Sequence, residues 1–225
     1  MTARNLDNPW PQLPDRAPFV LDADRQWIDQ HNQSVSEEFH YHTELYPEPY
    51  AGRLDAPVVL LALNPGFSPG DAQVHASRTY QKLWWGNAEQ TITDYPLFLI
   101  HPDLRHAPCF KWWTAKLRYL IDLFGLATVA RNILELQLYP YHSRAFRRRR
   151  GRLPSQDFTV DVVRRAMERN SVIILMRSRR IWEEYVPELA SYPHLLTVRN
   201  PRNPTFSEKN LPGIDRVVTV LESAQ

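Results

Sequence analysis

The apolar run Pro57-Val-Val-Leu-Leu-Ala-Leu63 stops abruptly at Asn64-Pro65-Gly66. Strand side chains alternate between faces, so a run without polar positions predicts a strand buried on both. Three further runs, at 133–138, 172–176 and 195–199, resemble it. Between them, 111–124, 160–170 and 179–189 carry helical periodicity, and a shorter helix is predicted around 23–32. Strand and helix alternate, which predicts βαβ crossovers. The expected fold class is a three-layer α/β/α domain with a central, mostly parallel four-stranded sheet. In such folds ligands sit beyond the carboxyl ends of the strands. Residues 1–56 are rich in Pro, Asp and aromatics and contain the loop Tyr46-Pro-Glu-Pro-Tyr50. They read as an N-terminal extension packed on an α/β domain spanning 57–225.

Composition narrows the class. The 225 residues are 43% hydrophobic and 23% charged, which argues against global disorder, collagen-like repetition and coiled coil. No apolar run approaches the ~20 residues needed to cross a bilayer, and the first residues lack a secretion signal's apolar core, so a cytoplasmic protein away from membranes is expected. The single cysteine, Cys109, excludes an intrachain disulfide framework and any cysteine-dominated zinc site. It reads as a small hydrophobe.

Charge adds a partner class. The net charge is +2, yet residues 1–130 hold 10 basic and 15 acidic side chains, and 131–225 hold 17 and 10, so the parts carry −5 and +7. Of the 27 basic residues 23 are arginines, the bidentate phosphate binder. The densest group is Arg144, Arg147, Arg148, Arg149, Arg150 and Arg152. It reads either as a solvated loop or as a contact to nucleic acid.

Common chemistries are missing. The chain has no Gly-x-x-x-x-Gly-Lys-Ser/Thr loop, no Gly-x-Gly-x-x-Gly and no Gly-x-Ser-x-Gly elbow. His40 and His42 alternate as on a strand, and His101 and His106 fall in a loop, without carboxylates completing a metal site; no metal or cofactor is expected. Trp84-Trp85 and Trp112-Trp113 read as helical core residues.

Two strand ends share one pattern, a strand followed by Asn-Pro and a turn: Leu61-Ala-Leu-Asn64-Pro65-Gly66-Phe67 and Leu196-Thr-Val-Arg-Asn200-Pro201-Arg202-Asn203-Pro204. Each places a side-chain amide where a parallel sheet opens, with proline fixing the backbone and glycine permitting close approach. Read singly, each is a tight turn. Together they resemble the uracil-DNA glycosylase superfamily, in particular its mismatch-specific and single-strand-selective branches, in which a strand ends in Gly-hydrophobic-Asn-Pro-Gly. Here Ala62 stands in place of the first glycine. The second loop resembles both His-Pro-Ser-Pro-Arg-Asn-Pro and Asn-Pro-Ser-Gly; one alignment sets Val198 at the family histidine, the other, preferred for role, sets Asn200 at the family asparagine. Leu136-Gln137-Leu-Tyr-Pro140 places Gln137 on the base-reading position. The resemblance runs over about 57–213.

This resemblance implies a cofactor-free, monofunctional DNA glycosylase that excises a deaminated or damaged base, uracil by default, and acts as a monomer on DNA. Asn64 and Asn200 would be catalytic. Asn64 would position the attacking water without serving as a strong base, because an amide oxygen accepts a hydrogen bond but takes no proton near neutrality. Pro65, Gly66, Phe67 and Gln137 would bind the base, with Phe67, Tyr80 or Phe110 stacking on it. Pro201, Arg202, Asn203 and Pro204 would pinch the DNA, Arg202 or Phe206 filling the vacated stack, while Arg147, Arg148, Arg149 and Arg150 grip phosphate. The alternative is a non-catalytic nucleic-acid binding protein of the same fold.

Overall fold

A computed structural model describes residues 7–148 and 151–224. Arg149 and Arg150 therefore lie outside the described residues. Five strands form one mixed sheet: β1 (Tyr50–Ala51), β2 (Val58–Ala62), β3 (Ile133–Gln137), β4 (Val172–Leu175) and β5 (Leu195–Thr197), in the order β1-β3-β2-β4-β5. The four expected strands pair in parallel. The fifth corrects the expectation: β1 adds antiparallel to β3 at the edge. Its two residues are too short to give a period, and only the neighbouring strand defines them.

The helices are α1 (Asp22–Ser34), α2 (Asp71–His75), α3 (Arg78–Ala88), α4 (Pro108–Lys116), α5 (Arg118–Phe124), α6 (Leu126–Asn132), α7 (Gln156–Glu168), α8 (Arg179–Tyr185) and α9 (Ile214–Glu222). The predicted helix over 111–124 is two helices, α4 and α5, broken at Leu117. Its apolar positions continue across the break because Trp113, Leu117 and Leu120 are all buried in the same core. Among the described residues no helix is long and apolar enough to cross a membrane.

β2 is central because every one of its five side chains is apolar and buried. The chain leaves it on one side through α2–α6 to β3, then returns across it through α7 to β4. A reversal of strand order opens a crevice at the strands' carboxyl ends. There, Ala62 pairs with Gln137, and Met176 N–H bonds Leu61 O at 3.0 Å.

The segment before β2 shares the main core through Trp10, Leu13, Val20, Leu21, Ile28, Tyr41, Tyr46 and Tyr50. Its antiparallel run continues past β1: Gln137 N–H donates to Pro49 O at 2.9 Å, Glu48 N–H to Pro140 O at 2.8 Å and His42 N–H to His142 O at 2.9 Å. His40 and His42 consequently lie in extended backbone outside any assigned strand, which corrects the strand expectation for them.

Glu135 is the anomaly of the sheet. It sits fully buried in β3, opposite Leu60, and among the described residues neither carboxyl oxygen has a partner. Burial, and then the nearby Glu48 carboxylate, push its pKa well above the ordinary range. A raised folded pKa means that the stability it permits is full at low pH and is lost as pH rises through that value, because the unfolded chain ionises freely. Glu135→Leu is expected to stabilise the protein by roughly 1–3 kcal/mol at pH 8. Thermal melts at pH 5 and pH 8 should show the gain growing with pH; a pH-independent gain contradicts the buried neutral carboxyl.

Candidate active site

A cavity of about 350 Å³ opens at the carboxyl ends of β2, β3 and β4. The β2 end contributes Asn64, Pro65, Gly66 and Phe67, the β3 end Gln137 and His142, and the β4 end Arg177. Trp112, Trp113 and Cys109 of α4 form another wall, and Glu48 reaches in from the segment before β1. A larger surface cavity of about 450 Å³ beside α1 and α7 lies away from the strand ends and gathers none of these groups. The strand-end cavity carries the chemistry.

The Asn64-Pro65-Gly66 turn is clamped to His142-Ser143. Asn64 Nδ2 donates to Ser143 Oγ at 3.1 Å and to Pro65 O at 3.0 Å. With both bonds on the amide nitrogen, Oδ1 is left as the free acceptor. His142 Nδ1–H donates to Gly66 O at 2.6 Å, so in the neutral ring Nε2 carries the lone pair. A Cβ built on Gly66 meets nothing within 4 Å, so this glycine answers to open space beside the turn and not to crowding. Gln137 is 6% exposed, and its buried Oε1 has no partner among the described residues. A buried acceptor without a donor is costly unless something supplies one.

Phe67 lines the cavity with its ring stacked on His42 at 3.7 Å and the Arg144 guanidinium 5.3 Å from its centroid. Trp112 is 38% exposed, with Lys116 Nζ 5.2 Å from its ring centroid. Tyr80 is wholly buried and Phe110 lies outside the lining, which leaves Phe67 and the two tryptophans as the aromatic walls. The expectation of a purely core role for Trp112 is corrected: its ring lines the cavity and is part-exposed, while its neighbour Trp113 is buried.

Asn200 stands elsewhere. It is exposed, outside the cavity lining, and its Oδ1 accepts from Arg202 N–H at 3.1 Å and Asn203 N–H at 3.4 Å. Its side chain thus shapes its own turn, which Asn210 braces by accepting Asn200 N–H at 2.9 Å. Pro201, Arg202 and Asn203 are exposed and Pro204 is buried; the loop meets α4 through Lys116 Nζ, 2.5 Å from Asn203 Oδ1. Phe206 is 1% exposed, so the expectation that it could serve as a wedge fails: its ring is committed to the core. Arg147 lies over Phe39, and Arg148 forms a bidentate ion pair with Glu184.

Sequence reasoning missed Glu48, His75, His142 and Arg177. Glu48 is 9% exposed, and its Oε1 accepts from Tyr80 O–H at 2.8 Å. His75 Nε2 and His142 Nε2 each lie 3.9 Å from the same oxygen. Burial raises the Glu48 pKa, opposed by the neighbouring His142 and by the Tyr80 hydrogen bond. Burial lowers that of His75. The visible signals were a glutamate between two prolines at 47–49 and a histidine just beyond Tyr139-Pro140, after the Gln137 motif.

The ligating atoms of Glu48, His75 and His142 lie within 4.8 Å of one another, close enough to raise the question of a metal. The tautomers decide against one. His75 Nδ1 accepts Tyr46 N–H at 3.1 Å, so Nε2 of its neutral ring carries a hydrogen toward Glu48. A metal-bound histidine instead presents a lone pair and donates from its other nitrogen, which His142 does and His75 does not.

Comparison with family models, curated proteins and solved structures found no match.

Cys109 gives a direct check of the cavity wall. Burial, and then the Glu48 charge, push its thiol up to about 12. Because the thiolate is the reacting form, iodoacetamide at pH 8 should modify it at least about a hundredfold more slowly than a free cysteine, followed by mass spectrometry of the intact chain.

Proposed function

We propose that the chain is a DNA base-excision glycosylase that hydrolyses the N-glycosidic bond of a deaminated or damaged base. The supporting observation is that Asn64, Phe67 and Gln137, far apart in the chain, line one cavity at the strand ends. Helices on both faces of the sheet, which right-handed crossovers on either side of β2 would produce, belong to the same reading.

The chemistry asks for a base pocket, a placed water and tolerance of charge on the departing base. Gln137 offers its unpartnered Oε1 to a base N–H. Asn64 offers Oδ1 to a water, with the amide's orientation set by Ser143. Arg177 lines the mouth, and its guanidinium and Lys116 feel each other's charge, a pair suited to a phosphate of a flipped nucleotide. The Phe67 and Trp112 walls would receive the flat ring. Arg148 would have to exchange Glu184 for phosphate before gripping DNA.

The position of Asn200 outside the cavity favours a second reading, a nucleic-acid binding protein without catalysis. Single-turnover assays separate the two, with protein in excess over oligonucleotides carrying uracil, hypoxanthine or xanthine and alkaline heat to reveal abasic sites. The glycosylase reading expects product, with Asn64→Ala slowed at least about a hundredfold. No product alongside salt-dependent binding leaves the binding protein. In either case, Arg177→Gln should weaken binding to single-stranded DNA and reduce the slope of log affinity against log salt by about 1. An unchanged slope places the phosphate elsewhere.

A further inference from the structure

Asn64 can hold a water but cannot take its proton, so hydrolysis at this site needs a second group. Two carboxylates line the cavity, Glu48 and Asp71. Asp71 Oδ2 is engaged by Ser68 N–H at 2.6 Å at the start of α2. Glu48 is held differently: its Oε1 takes the Tyr80 hydroxyl and faces both imidazoles, and among the described residues no hydrogen bond engages its Oε2. Pro47 and Pro49 stiffen the backbone around it, and Trp84 Nε1–H fixes Pro47 O at 2.6 Å.

We infer that Glu48, held against His142, is the catalytic residue that takes the proton from the attacking water. This deepens the glycosylase reading and rests on it. His142 Nε2, buried and without a partner among the described residues, faces Glu48 Oε1 across 3.9 Å, so the imidazole sets the side of the cavity on which the carboxylate lies. In the step itself the water oxygen bonds C1′ of the sugar while the C1′–N bond breaks and its electron pair leaves on the base. One water proton passes to Glu48, and the released base takes a proton from solvent. Glu48 then returns its proton to solvent, closing the cycle without any other reagent.

The groups facing Glu48 are Tyr80, His75, His142, Asp71, Cys109 and Glu135. Burial raises the pKa of Tyr80, Cys109 and Glu135 and lowers that of His75, in each case favouring the uncharged form. Burial raises the Glu48 carboxyl as well, so the rate should climb with pH as it ionises, along a limb displaced upward from an ordinary glutamate.

The experiment is the single-turnover rate across pH 5 to 9 for the wild type, Glu48→Gln and Asp71→Asn, with DNA affinity and thermal melts measured in parallel. Glu48→Gln is expected to lose at least about a hundredfold in rate and to lose the acidic limb, while binding DNA within about twofold of the wild type. Glu48→Ala, with space for a small acid, should regain rate on adding formate. A Glu48→Gln protein that keeps the rate overturns the inference. So does a Glu48→Gln protein slowed with its limb intact together with a Glu48→Ala protein that formate does not rescue, or loss of the limb in Asp71→Asn instead. Absence of product from the wild type overturns the glycosylase reading and this inference with it.

Discussion

Backbone bonding of residues 48–51 to 135–140, with one further bond from His42 to His142 beyond the turn at 43–45, is the constraint on which the site rests. Backbone bonds from Gln137, Glu48 and His42 carry this pairing beyond the short β1 ladder to the point where β3 ends. The parallel strands supply an open crevice, as their topology requires. The antiparallel strip closes one side of it and brings a carboxylate into a space that β2 and β3 otherwise line with amides. Buried backbone groups need partners, and here those partners are supplied by a chain segment that also carries functional side chains.

The same pairing explains why Glu48 tolerates burial. A carboxylate removed from water needs donors, and Tyr80 provides one, while the neighbouring His142 offsets part of the desolvation. Glu135, on β3 opposite Ala51, has no such provision among the described residues, and burial raises its pKa well above the ordinary range. Two glutamates close enough to feel each other thus meet opposite fates because one has donors and the other has none.

Much of the fold was legible in the sequence because β2, β3, β4 and β5 are short apolar runs separated by helical periodicity, and that contrast survives in a single chain. The break at Leu117 was not, since the core face runs straight through it and periodicity records the face and not the axis. β1 is set by its neighbour alone. At the site, Asn64, Phe67 and Gln137 were legible because they sit at strand ends, where topology gathers side chains. Glu48 and His142 were not, because pairing between distant segments brings them together. Asn200 stands outside the cavity for a local reason: its side chain shapes its own Asn-Pro turn, and such a turn reads the same in sequence as one that presents the amide to a ligand.

The cavity wall also has an optical consequence. Trp112 and Trp113 meet edge to face with centroids 4.7 Å apart, and one of them opens to solvent at the cavity mouth. Trp10, Trp84 and Trp182, in contrast, are sealed in the core. An aromatic guest entering the cavity would change the surroundings of the Trp112–Trp113 pair and leave the sealed indoles untouched. The protein's own emission is therefore a built-in indicator of occupancy, readable without a label and without turnover.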